Sequence, residues 1–406
     1  MTEPVVESRP ITHHEPSNGT PGIIESASGI AQLLTSLQAG RGPIAVDAER
    51  ASGFRYSQRA YLLQFYREGS EIGLLDPTTD ASFTALATYV NAQPWILHAA
   101  TQDLPCLREA GFIPSSVHDT ELAAKLLGRP KVGLGALLEA ELDVVLAKEH
   151  SAVDWSTRPI PPEWRAYAAL DVEFLPDLHQ RLVAELEHRD RLDWYEQERA
   201  TLLTFTGPEP RPDAWRRTSG IHAIRDPRKQ AIVRALWEAR DARARDLDIS
   251  AGRVLHDSVI IDIAKHAPVS QAQLTAMRPV HSRNARKDPE YWWAAIESAL
   301  ALPDVELPKR AQADGAIPPP KAWPQRNPDA AARWDVVRPA VVATAEALAI
   351  QPEVLISPET IRRLCWEGFS MQQSADAVER MLSVTAARPW QITALVAPIT
   401  TALQAG

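Results

Sequence analysis

Three short stretches carry side chains whose types and spacing could do chemistry. In Asp47-Ala-Glu49 two carboxylates stand two residues apart at the end of the apolar run GPIAVDAER. Residues two apart on a strand share a face, so these acids would lie side by side and repel each other. A divalent cation resolves that repulsion by taking both as oxygen ligands. In His98-Ala-Ala-Thr-Gln-Asp103 the acid falls in the first turn of a helix that follows a second apolar run, PWILHAA. If that run lies beside the first strand, Asp103 arrives at the same sheet edge as Asp47 and Glu49. In Tyr167-Ala-Ala-Leu-Asp171 the spacing of four places phenol and carboxylate on one helix face. A tyrosine hydroxyl there can hold and orient a water. Each stretch alone has a commoner explanation: a solvated strand end, charge complementarity at a helix N-terminus, or a core tyrosine beside a surface acid.

The elements that would position these residues follow from the apolar pattern. GPIAVDAER, AYLLQFYREG and EIGLLDP read as three strands separated by turn-rich gaps, and PWILHAA reads as a fourth reached through the helical FTALATYVN. Long helical stretches follow, ending in PPEWRAYAALDVEFLPDLHQRLVAELEHRDRLDWYEQERATLLT. Such an order implies a mixed sheet covered by helices. Residues 1–22 read as a disordered tail, 23–205 as the α/β unit, and 206–224 as a linker rich in Pro and Gly. Helical patterns without strands occupy 225–302 and 331–406, separated by a Pro-rich linker over 303–330.

Four acids and a tyrosine in this order resemble the Tyr-bearing subclass of the DEDD exonuclease superfamily, and within it the ribonuclease D family. The blocks VDAERASGFRYSQRAYLLQF, HAATQDLPCLREAGF, HDTELAAKLLG and DWSTRPIPPEWRAYAALDVEFLPDL are similar to that family's and occur in its order. The segment from RDPRKQAIVRALWEARDARARDLDISAGRVLHDSVI onward resembles an HRDC domain, and 331–406 a second one. The resemblance implies a ribonuclease H-like α/β exonuclease domain followed by two all-α HRDC-like domains. It implies metal ligands at Asp47, Glu49, Asp103 and Asp171, with Tyr167 orienting the nucleophilic water. The implied activity is 3′→5′ removal of single nucleotides from RNA ends, tRNA precursors being the implied substrate. The chemistry agrees. Phosphodiester hydrolysis needs an activated water and a sink for charge on the leaving oxygen, and two divalent ions roughly 3.5–4 Å apart supply both. An all-oxygen donor set calls for Mg²⁺ or Mn²⁺ rather than zinc. A DNA 3′→5′ exonuclease, and a non-catalytic RNA-binding protein on a nuclease scaffold, remain open at this point. No motif reads the 2′-hydroxyl that separates RNA from DNA.

Composition narrows the class. The 406 residues are 45% hydrophobic and 23% charged, values that support packed cores and exclude a wholly disordered chain. No run approaches the roughly 20 apolar residues that span a bilayer, so no membrane partner is expected. The N-terminus does not read as a signal peptide. Two cysteines, Cys106 and Cys365, supply no disulfide framework, and a cytoplasmic location is expected. The net charge of −9 conceals an asymmetry, because residues 211–300 hold sixteen Lys and Arg against eleven Asp and Glu. Arg228, Lys229, Arg283, Arg286 and Lys287 in this stretch are the candidate phosphate contacts. Gly133-Leu-Gly135 reads as a helix-start turn, and His118-Asp119 and Glu149-His150 lack further ligands at useful spacing.

Overall fold

The computed structural model describes residues 11–147, 152–209, 211–277, 288–309 and 317–405. Its strands are β1 (Ile11–His13), β2 (Ile23–Ile24), β3 (Arg41–Arg50), β4 (Ala60–Glu68), β5 (Gly73–Leu75), β6 (Pro94–Leu97), β7 (Ser116–Asp119) and β8 (Val144–Leu146). Six form one mixed sheet in the order β2-β5-β4-β3-β6-β7, with β3 antiparallel to β4 and parallel to β6. The four strands expected from the sequence are β3 to β6. The additional β2 and β7 are two and four residues long, and three of the four residues of SVHD are polar, so neither gives an apolar run to detect.

Helices α1 (Ala27–Ala39), α2 (Thr84–Asn91) and α3 (Leu104–Glu109) cover one face of the sheet, where Leu33, Leu37, Leu86 and Leu107 pack with Ile44, Val46 and Phe65. After α4 (Thr120–Leu126) and α5 (Leu134–Leu142), the other face is covered by α6 (Pro162–Glu173) and α7 (Leu175–His188). There Val172 and Leu175 meet Ala45 and Ile96, and Ala168 and Ala169 meet Leu62 and Leu74. Cover on both faces explains why Ile44, Ala45 and Val46 are buried in succession, as one continuous apolar run. Ala45, Asp47 and Glu49 alternate onto the face that α6 covers.

Residues 11–22, expected to be a disordered tail, instead lie on the domain. β1 pairs in parallel with β8, and the Ser17 amide donates to Glu173 Oε1 at 2.8 Å. The tail is polar, yet its backbone finds a strand partner that composition cannot reveal. Helix α8 (Leu192–Leu202) ends this domain.

The next unit holds α9 (Pro227–Leu247), α10 (Ala251–Val254), α11 (Asp257–His266), α12 (Gln271–Ala276) and α13 (Pro289–Ala301) around its own core. Trp215 and Ile224, from the stretch read as a linker, belong to that core. The last unit contains α14 (Trp323–Arg326), α15 (Pro328–Ala347), α16 (Pro352–Leu355), α17 (Pro358–Arg363), α18 (Ala375–Ser383) and α19 (Pro389–Ala405). It is not a separate bead. Val337, Ile350 and Leu403 share one core with Leu126, Leu182 and Tyr195 of the α/β domain. Trp390 stacks on Trp194 with ring centroids 4.5 Å apart, and its indole N–H donates to Glu198 at 2.9 Å. Among the described residues no helix is long and apolar enough to cross a membrane.

Candidate active site

Strand β3 delivers Asp47 and Glu49, and α6 crosses above them with Asp171 one turn beyond Tyr167. Carboxylate oxygens of Asp47, Glu49 and Asp171 lie within 4.8 Å of one another, an arrangement that can hold a divalent metal ion. The Tyr167 hydroxyl donates to Asp171. Its ring packs near the buried Trp155, against which the partly buried Trp164 of α6 also packs.

Asp103 comes from the other side, through a tight turn after β6. Ala99 adopts φ 58°, a left-handed conformation uncommon for alanine, before the 3₁₀ turn Ala100–Gln102. Asp119 holds that turn. Its buried carboxylate accepts from the amides of Ala99 (3.1 Å) and Ala100 (2.9 Å), and from those of Glu121 and Leu122 at the start of α4. Asp103 precedes α3 yet makes no capping hydrogen bond, so its carboxylate is left to the site. It lies outside the close three-acid cluster and pairs with Arg50, whose Nη2 is 3.7 Å away. All five expected residues line one open cavity of about 390 Å³, together with Arg50, His98, Gly133, Leu134 and Leu175.

Burial and crowded like charges set the electrostatics of the site. Burial pushes the Asp47 carboxyl up to about 6, against the pull of the Ala48 amide and Arg50. Burial first, then Asp47, Asp171 and Asp103, raise Glu49 well above the carboxylate range. Asp103 and Asp171 rise for the same two reasons, burial and then the Asp47 charge. Burial and the neighbouring Asp171 also raise Tyr167, keeping it a neutral hydrogen-bond donor at neutral pH. Carboxyls crowded together in this way fit a site that takes up divalent cations. His98 lies outside the close three-acid cluster. Its Nδ1 is 2.9 Å from Thr120 Oγ1, and the Thr120 hydroxyl donates to Leu97 O. The imidazole therefore supplies the N–H in that pair, and burial lowers its pKa to about 4.

Family models described as "3'-5' exonuclease" and "HRDC domain" match residues 21–187 and 229–296. A ribonuclease D of Acidiphilium cryptum is 30% identical over 315 residues, covering 75% of this chain and 79% of its own. The chain belongs to the ribonuclease D family. It is a 3′→5′ exoribonuclease whose family binds divalent metals. The ribonuclease D of Cronobacter turicensis is 27% identical over 84% of this chain and 90% of its own. A crystal structure of a protein from Bifidobacterium adolescentis superposes with TM-score 0.89 at 36% identity, covering 97% of this chain and 99% of that one. Escherichia coli RNase D, described as an exoribonuclease involved in structured RNA processing, shares the fold (TM-score 0.66, 23% identity, 89% and 98% covered). The stretch 331–406, expected to resemble a second HRDC unit, overlaps residues 316–403, which match a separate family model, the "3' to 5' exonuclease C-terminal domain".

The basic residues fare differently. Arg228 donates to the Leu302 carbonyl and to Asp304 (2.6 Å), and Lys229 donates to the Lys265 carbonyl (2.6 Å). Both tie helix ends together inside the HRDC unit, a structural role beside the phosphate contact expected of them. Arg283, Arg286 and Lys287 lie outside the described residues, as do Glu149 and His150. Sequence reading missed Arg50, His98 and Asp119 as parts of the site. For Asp119 a signal exists: HDTELAAK is an Asp-capped helix start, and its side chain accepts from Glu121 N and Leu122 N.

Proposed function

We propose that this chain trims the 3′ ends of structured RNAs, tRNA precursors foremost, using two Mg²⁺ or Mn²⁺ ions and releasing nucleoside 5′-monophosphates. The observation that carries this reading is the convergence of Asp47, Glu49 and Asp171 within 4.8 Å, with Asp103 and Tyr167 on the same cavity. The donors are all oxygens, and the acids, Asp103 buried and the others half-buried, are short of positive charge, which fits hard divalent cations. Asp47, Glu49 and Asp171 would hold one side of the pair of ions, and Asp103 would reach it from the α3 turn. Such ions supply an activated water and charge stabilisation on the leaving oxygen. The Tyr167 hydroxyl, anchored one helical turn from Asp171, holds the attacking water in line. Leu134 and Leu175 give the cavity an apolar wall against which a terminal base can lie.

The tRNA reading draws on the family and on the structured-RNA role stated for the E. coli relative. Cys106 and Cys365 are both buried and unpaired, in keeping with a reducing cytoplasm as the place of action. The test is a precursor tRNA with a short 3′ trailer, run beside a matched DNA strand. Shortening of the precursor to its mature end, with the DNA left intact, is expected. Precursor left untouched by a preparation that degrades short single-stranded RNA would refute the tRNA assignment.

A further inference from the structure

The acidic cavity contains one arginine for which the ribonuclease D reaction has so far given no use. Arg50 ends β3, directly after Glu49. Strict alternation would turn it away from the face that carries Asp47 and Glu49. The register slips at that point: Glu49 pairs with Leu62 and Arg50 with Ala60. The guanidinium lines the cavity and approaches Asp103 at 3.7 Å, with Arg50 26% and Asp103 8% exposed in their side chains. That distance is an ion pair without a hydrogen bond. Among the described residues the Arg50 side chain makes no hydrogen bond at all, leaving its five N–H donors free. Arg158, comparably exposed, shows the contrast, since it donates to Asp76 and to the carbonyls of Trp155, Thr157 and Tyr61.

The backbone that follows Arg50 is fastened down. The Gly53 carbonyl accepts from Ser250 Oγ and Arg253 Nε, both at 2.8 Å. The Phe54 carbonyl accepts from Ser250 N at 3.0 Å, the Ser57 amide donates to Asp248 at 2.8 Å, and the Tyr56 hydroxyl donates to Asp241 at 3.0 Å. The HRDC unit thus fixes the loop that follows the arginine. A half-buried guanidinium beside a fastened backbone, with all its donors free, suits bidentate capture of a phosphate.

We propose that Arg50 is a substrate-binding residue: it rests against Asp103 in the unloaded enzyme and takes a phosphate oxygen of the RNA once the acids hold metal. The inference rests on the metal-site reading above. With its carboxylate shared with a divalent ion, Arg50 loses its partner and gains a like-charged neighbour, so it turns outward to the polyanion. Its charge is felt by Asp47 and Glu49 as well as Asp103, so it also competes with incoming metal.

The test compares full-length wild-type, Arg50→Gln and Arg50→Lys proteins in two assays. In the first, calorimetric titration with Mn²⁺ in the absence of RNA, Arg50→Gln should bind about tenfold more tightly, because a competing cation is gone, and Arg50→Lys should stay near wild type. In the second, hydrolysis of short single-stranded RNA across a salt series, Arg50→Gln should lose about tenfold in kcat/KM, chiefly through KM. Its log–log salt dependence should flatten by about 0.7, the worth of one single-strand phosphate contact. Arg50→Lys should keep the salt dependence and recover part of the KM. Wild-type uptake of Mn²⁺ with KM and salt dependence unchanged in Arg50→Gln would overturn the Arg50 assignment alone. Weaker Mn²⁺ binding by Arg50→Gln would also overturn it, by making Arg50 a support of the ligands. A wild-type protein that takes up no Mn²⁺ would overturn the metal-site reading itself.

Discussion

Replacing Asp47 by asparagine should stabilise the metal-free enzyme while ending its chemistry. In the folded chain the Asp47 carboxyl is pushed from an ordinary 3.8 up to about 6, burial being the main cause. At roughly 1.4 kcal/mol per pH unit, the charged form costs the fold about 3 kcal/mol at neutral pH. The sign follows from proton linkage. Below about pH 4 the carboxyl is protonated whether the chain is folded or unfolded, and the cost is absent. Between about 4 and 6 the unfolded chain gives up the proton while the folded chain keeps it, and stability falls. Above about 6 the full cost is present. Asparagine removes the charge, so the gain should be near zero at pH 4 and reach about 1–3 kcal/mol at pH 8, less whatever the buried amide leaves unbonded. The assay is denaturation in EDTA at both pH values, paired with RNA hydrolysis in Mg²⁺. Saturating Mg²⁺ should then raise the wild-type melting temperature and leave that of the Asp47→Asn variant nearly unmoved. A variant less stable than wild type at pH 8 in EDTA, or one that still hydrolyses RNA, would refute the reasoning.

Other substitutions follow from the same geometry. Tyr167→Phe should lower kcat by roughly 10²–10⁴-fold with little change in KM for RNA, as expected of a group that positions the nucleophile. Normal kcat with a raised KM would instead make Tyr167 a substrate contact. Asp119→Ala should cost about 2–4 kcal/mol in urea denaturation, since four backbone N–H groups lose their acceptor. Activity should fall with it, because the turn that carries Asp103 is released, and a loss under about 1 kcal/mol would mean that Asp119 does not hold the turn. Metal affinity should weaken as pH drops from 8 toward 6, with protons released on binding, because Glu49 and Asp171, raised by burial and by the Asp47 charge, must surrender theirs. Calorimetry in buffers of different ionisation enthalpy reads the proton count, and a count of zero would contradict the raised acids.

How far the sequence could be read depended on whether a signal was local. Asp47 and Glu49 share a face because a strand alternates, and Tyr167 and Asp171 share one because a helix turns every 3.6 residues. Both relations survive intact into the fold, and Asp103 reached them through the strand adjacency expected for β6. Residues 11–22 were not legible, since their order comes from backbone pairing with β8 and from Glu173, 156 residues from Ser17. Arg50 was hidden by a register slip that alternation cannot anticipate. The structural partners of Arg228 and Lys229 were equally hidden, since those carbonyls and that carboxylate lie 36 to 76 residues away. The periodicity of 331–406 identified helices, but not that their apolar faces close against Leu182 and Tyr195. A cut near Thr206 would therefore expose the core of the catalytic domain rather than free an independent unit.

The most direct test follows a single-stranded RNA labelled at its 5′ end, incubated with purified protein in Mg²⁺ or Mn²⁺ and again in EDTA. With either metal the label should move down a ladder one nucleotide at a time from the 3′ end. It should stay in place in EDTA and with the Asp47→Asn protein. Internal cleavage, or shortening that persists in EDTA, would contradict a metal-dependent 3′→5′ exoribonuclease built on Asp47, Glu49, Asp103 and Asp171.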